Sequence, residues 1–265
     1  MLMAAPGARA DLMLFPTRIV FDKNQRAAQV ELINQGTTPE TYRISVVNRR
    51  MSENGEIGAA DPPAAGEQFA DAMLRYSPRQ VTIAPGSSQI VRMLLRKPAE
   101  LAPGEYRSHL QFDRIAEATG GNSVETPGDG GANKVGVVIT ALVGASIPVI
   151  VRQGDTQAKV TLSQLAFVAG SASAPPALAF QIEREGNRSV YGDIAVSFTP
   201  RGGVPVDVAK AGGVAVYVPN PLRRARLPLQ LPPGAALAGG TLRLSYLERA
   251  DAGGKLLAES TIVLP

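Results

Sequence analysis

The sequence predicts an all-β chain of two β-sandwich domains. Three observations carry that prediction. A length of 265 residues accommodates two domains of ordinary size, each able to bury its own core. With 45% apolar residues, no Trp and few aromatics, Val, Leu, Ile and Ala must fill those cores, a mixture that favours sheets. Short β-rich runs recur between turn residues, and almost nowhere does a period of about 3.6 residues persist.

Residues 1–10 come first. Ala8-Arg9-Ala10 before Asp11 fits the small-x-small pattern of a signal-peptidase site, while Met1–Gly7 is short for a full apolar region. Residues 1–10 therefore read as the tail of a secretion signal, with the mature chain starting at Asp11. The first domain, 11–152, is expected to carry strands over 12–21, 27–34, 41–49, 74–83, 89–96, 104–114 and 134–152. Seven strands is the immunoglobulin-like number. Asn34-Gln35-Gly36, Asn54-Gly55, Ala84-Pro85-Gly86 and Pro103-Gly104 break the runs, each supplying a residue that tolerates positive φ or fixes a turn φ. Residues 52–72 hold two prolines and few β-branched residues, and read as an irregular connection with at most a short helix. Residues 117–133 are rich in Gly, Ser, Thr and Asn and read as a mobile loop.

Gln153-Gly154-Asp155-Thr156 suits an interdomain elbow. The second domain, 156–265, is expected to carry strands over 158–168, 177–185, 190–199, 204–209, 213–218, 222–229, 241–248 and 255–264. No repeat relates the two halves at the level of sequence.

Composition also removes whole classes of chemistry. The net charge of +4 comes from Lys and Arg spread thinly, without a basic cluster interleaved with aromatics, so nucleic acid is not an expected partner. The absence of Cys excludes disulfides and thiolate metal sites. The one histidine, His109, lies in a predicted strand and reads as a structural residue; no metal site can be built from several imidazoles. No G-x-S-x-G elbow is present, and the Gly-rich stretch lacks the G-K-[S/T] ending of a phosphate loop. No catalytic residue, cofactor or metal is expected, and the chain is not expected to be an enzyme. No apolar run reaches the roughly 18 residues of a membrane helix, because Gly, Ser and Pro interrupt 135–151, so the chain is not expected to be embedded in a membrane.

The run from Lys134 to Arg152 stands out because it is apolar on both faces. Val135, Val137, Ile139, Ala141, Val143, Ala145 and Ile147 share one parity, Val138, Thr140, Leu142 and Ser146 the other. Two readings follow: a central strand packed inside its own domain, or an edge strand whose second row is covered by a partner chain through strand addition.

The first domain resembles the PapD-like periplasmic pilus chaperones, and within them the archaic branch that assembles spore-coat-U-like fimbriae. The residues that carry the resemblance are Phe15-Pro16-Thr17-Arg18-Ile19-Val20-Phe21, Val30-Glu31-Leu32-Ile33-Asn34-Gln35-Gly36, Tyr42-Arg43-Ile44-Ser45-Val46 and Tyr76-Ser77-Pro78-Arg79-Gln80-Val81-Thr82-Ile83-Ala84-Pro85-Gly86. The most specific are Gly104-Glu105-Tyr106-Arg107-Ser108-His109-Leu110-Gln111-Phe112 and Gly144-Ala145-Ser146-Ile147-Pro148-Val149-Ile150-Val151-Arg152. The resemblance covers 11–152 well and the second domain in outline.

That resemblance implies two immunoglobulin-like sandwiches arranged in an L with an interdomain cleft. It implies a periplasmic chaperone that binds pilus subunits lacking their final strand, lends them its long strand by donor-strand complementation, and delivers them to an outer-membrane usher. The donor row would be Val135, Val137, Ile139, Val143 and Ile147. Basic residues would grip the subunit's C-terminal carboxylate and so fix the register of pairing. Arg107 and Arg18 match the family's basic positions. No lysine follows Arg152 until Lys159, so Arg152 and Lys159 rank behind Arg107 as further anchors. An apolar donor strand also implies self-association when no client is bound. The alternative is a secreted structural or adhesive protein with tandem immunoglobulin-like domains.

Overall fold

The computed structural model describes residues 11–115, 144–230, 237 and 239–265. Of the sequence expectations, the signal tail, the loop 117–133 and the segment 134–143 lie outside the described residues. Among the described residues the chain is β-structure with two single-turn 3-10 helices, and no helix is long and apolar enough to cross a membrane.

The chain divides into two compact units. The first comprises the described residues of Met1–Val47, Phe69–Glu100 and Arg107–Val151, the second those of Asn48–Gln68, Leu101–Tyr106 and Arg152–Pro265. Backbone continuity passes between them at 47/48, 68/69, 100/101, 106/107 and 151/152, which is five crossings. Residues 153–156 fall just inside the second unit.

In the first unit, β1 (Leu12–Phe15), β3 (Ala27–Asn34), β9 (Ser88–Leu95) and β7 (Leu74–Ser77) form one sheet in the order β1-β3-β9-β7. The other sheet runs β2-β11-β10-β4-β8, from β2 (Ile19–Phe21), β11 (Ala145–Gln153), β10 (Gly104–Ile115), β4 (Glu40–Val47) and β8 (Gln80–Ile83). Alternating residues make the core: Val30 and Leu32, Tyr42 and Ile44, Val81 and Ile83, Val91, Met93 and Leu95, Leu110 and Phe112 are all buried. Two expected single strands are each divided between the sheets. Pro16 separates β1 from β2 and Pro78 separates β7 from β8, where a residue without an N–H cannot continue a ladder. The turn after β3 is held by Asn34, whose side-chain amide donates to the carbonyls of Thr38 at 2.8 Å and Ile83 at 2.9 Å while its oxygen accepts from the Gly36 N–H at 2.9 Å.

Residues 52–72 are more ordered than expected. β5 (Arg49–Met51) and β6 (Ile57–Ala59) form a hairpin around Asn54-Gly55, with Gly55 at φ +86°, and a 3-10 turn spans Asp71–Met73. The Asn-Gly turn is the reason: Gly55 takes a left-handed conformation at no steric cost, and the flanking residues pair.

The second unit stacks β12 (Ala158–Val168), β13 (Ala177–Gly186) and β16 (Leu222–Pro228) against a four-stranded sheet ordered β15-β14-β17-β18. The latter contains β14 (Val190–Pro200), β15 (Val206–Val216), β17 (Gly240–Glu248) and β18 (Leu256–Leu264). Leu178, Phe180, Ile182, Ile194, Val196, Phe198, Leu242, Leu244 and Tyr246 form its core. Two strands expected over 204–209 and 213–218 are one, β15. Gly213, at φ +69°, sits where the β14–β15 register shifts, so the glycine pair makes a bulge and not a turn.

Candidate functional site

Of the residues that the sequence singles out, the strand order β2-β11-β10 places Arg18, Arg107, Ile147 and Arg152 on or beside three neighbouring strands. Arg18 stands at the entrance to β2, Arg107 lies in β10, and β11 runs between those two strands. β11 pairs in parallel with β2 through Val149↔Ile19, Ile150↔Val20 and Val151↔Phe21 and through no other pair among the described residues. The earlier part of β11, Ala145 to Pro148, thus has no strand on its β2 side among the described residues. That stretch continues the apolar run 134–144.

From Ile147 onward, β11 belongs to the interior. Ile147 is 3% exposed, and Val149, Ile150 and Val151 are fully buried, so both faces of this portion are covered within the protein. Of the donor row read from the sequence, Val135, Val137, Ile139 and Val143 lie outside the described residues. Ile147 is the one member of that row among the described residues, and it is buried.

β10 presents an unusual row. Its even positions bury Ser108, Leu110 and Phe112, whereas its odd positions Glu105, Arg107 and His109 are polar and are buried as well. The Ser108 hydroxyl accepts the Ala70 N–H at 3.0 Å. Charges held out of water need partners, and Glu105 shows how they are supplied. Its carboxylate accepts from the Arg152 Nε at 3.2 Å and from the Ser189 N–H at 3.2 Å. Arg152 is 8% exposed and is engaged by Glu105, while Lys159 is exposed on β12. Arg107 is 6% exposed and Arg18 half-buried.

In architecture the chain is similar to several solved chaperone structures. A YadV chaperone shares 10% identity over 96% of this chain and 100% of its own, with a TM-score of 0.47. The CsuC–CsuE chaperone–tip adhesion subunit pre-assembly complex of Acinetobacter baumannii matches at 13% identity over 96% and 98%, TM-score 0.46. A Salmonella enterica SafA pilin–SafB chaperone complex matches at 14% over 98% and 99%, TM-score 0.44. At these values the likeness assigns no function to the chain. Neither a protein-family model nor a curated protein matches it.

One further buried charge escaped the sequence reading. Arg184 in β13 donates from Nε to the Asn220 carbonyl at 2.9 Å and from its Nη atoms to the carbonyls of Gly186 at 2.6 Å, Arg188 at 3.3 Å and Pro219 at 3.3 Å. Burial lowers its pKa, and the negative charge of Glu105 opposes that shift. A signal was available: Arg184 follows Leu178, Phe180 and Ile182 on the core-facing parity of one strand. Among the described residues no group of His, Cys, Asp and Glu could hold a metal ion. Among the described residues, β11 thus lies between a strand entered at Arg18 and a strand that carries Arg107.

Proposed function

We propose that this protein is a periplasmic chaperone for pilus subunits, which it stabilises by lending them the strand leading into β11 and releases to an outer-membrane usher. The observation that carries the reading is the short reach of β2. It meets β11 at three residues only and leaves Ala145 to Pro148, the start of that strand, without a strand on that side among the described residues. Main-chain hydrogen bonds along such an edge supply affinity, and alternate apolar side chains supply fit. Val135, Val137, Ile139 and Val143 form the donor row in this proposal; Ile147 instead secures the strand to its own domain. Each donor side chain fully buried in a client contributes on the order of 1.5–3 kcal/mol before binding costs.

Arg107, on β10, and Arg18, at the entrance to β2, take the client's terminal carboxylate, for which a guanidinium offers permanent charge and two-point geometry. Arg152 supports the site by holding Glu105. The strand register is then set from a charged end.

The test is co-expression with pilus subunits that lack their final strand, comparing wild type with Ile139→Asp, Arg107→Glu and Arg18→Glu, with circular dichroism on each variant. Subunit recovery should fall about tenfold or more for Ile139→Asp, the scale expected when burial of one large apolar side chain is lost. Unchanged recovery in all three folded variants would overturn the reading.

A further inference from the structure

The hairpin within Asn48–Gln68 lies, in sequence, between β4 and β7 of the first unit, yet it packs with the second unit. It is braced internally. Arg50 binds Glu67 through Nε to Oε1 at 2.6 Å and Nη2 to Oε2 at 2.8 Å, and also donates to the Pro62 carbonyl at 3.0 Å. Glu67 accepts the Ala64 N–H at 2.7 Å.

The hairpin tip is seated on β16, an edge strand of its three-stranded sheet. The Arg224 N–H donates to the Glu53 carbonyl at 2.6 Å, and the two side chains form an ion pair. The Asn220 side-chain amide donates to the Met51 carbonyl at 2.9 Å. The Arg223 guanidinium occupies the space over Gly55 that a Cβ would need, and its Nη1 donates to the Ala215 carbonyl at 2.9 Å. An open strand edge is thereby covered.

The seat is polar and shallow. Arg224 and Glu53 keep 52% and 47% of their side-chain surface exposed, every residue of β6 is exposed, and Met51 alone of the paired hairpin residues is buried. Little apolar area is lost when such a segment lifts, so its local opening costs less than global unfolding.

We propose that this hairpin is a releasable strap: docked, it caps the edge of β16, and lifted, it exposes that edge while both sandwiches remain folded. Its docking is controlled by the Glu53–Arg224 pair and by the absence of a side chain at Gly55.

The test is amide hydrogen exchange followed by mass spectrometry on the full chain. Glu53→Arg and Gly55→Val should each speed exchange about 5- to 30-fold in 49–59 and 222–228 together, the range given by one or two kcal/mol, and leave 27–34 and 88–95 unchanged. The double variant Glu53→Arg/Arg224→Glu should return both peptides towards the wild-type rate. The proposal fails if the two peptides respond independently, if the charge swap restores nothing, or if exchange rises across 27–34 and 88–95 as well. Should Gly55→Val not fold, the charge-reversal series decides alone.

Discussion

Tyr42 shows how a single buried group makes stability depend on pH. Its phenol is raised above its ordinary value, first by burial and then by the Glu40 carboxylate, with Arg114 acting in the opposite direction. A raised folded-state pKa means that the native protein holds this proton more tightly than the unfolded chain. Its contribution is fully present below the ordinary value near 10 and is lost as pH rises from there through the folded value. Urea unfolding of wild type and Tyr42→Phe, followed from about pH 8 to 11, should show the wild type losing stability more steeply above about pH 10. Identical slopes would remove Tyr42 from the account. Tyr42 was legible only as part of a strand. The buried charges were partly legible: Arg184 breaks an apolar parity that can be read in the sequence, whereas Glu105 meets Arg152 and Ser189, 47 and 84 positions away, through contacts that no local pattern reveals.

Strand existence was readable from β-branched content and alternation, but strand boundaries followed backbone chemistry that a hydropathy pattern does not weigh. Pro16 and Pro78 each divide an apparent strand between sheets, and the Asn54-Gly55 turn builds a hairpin inside a segment that looked irregular. The long apolar run is the sharpest case. Its two-faced character is accounted for by the protein's own interior from Ile147 onward, and the donor reading now concerns the residues before it. Within the second unit, β14 and β17 approach closely at a glycine. At Gly192 in β14, an added Cβ would meet the Leu247 carbonyl of β17 and the Tyr246 ring. Gly192→Ala should cost roughly 1–3 kcal/mol in chemical denaturation, the usual scale of overpacking in a tight interior. A cost near zero would mean that β14 and β17 can part without loss.

At the scale of the molecule, the partition of the chain departs from two sandwiches joined by one elbow. Residues 48–68 and 101–106 pack with the second unit, and Glu105 supplies the carboxylate that receives Arg152 and Ser189. A fragment of residues 156–265 therefore lacks both segments. It should unfold at lower urea concentration than the same strands in the whole chain and show weaker protection in 222–228. Equal midpoints would mean that the two segments add nothing to the second unit. Five crossings were not legible because turn signals mark where a chain bends and carry no record of which distant strand receives it.

Those crossings also place a demand on synthesis. Glu53 is seated against Arg224, 171 positions later, and Met51 against Asn220, 169 positions later. At about 5–20 residues per second, a nascent chain would carry the hairpin for roughly 10–30 s before its seat had been made. A polar, internally braced hairpin can wait in water for that interval without exposing a sticky surface.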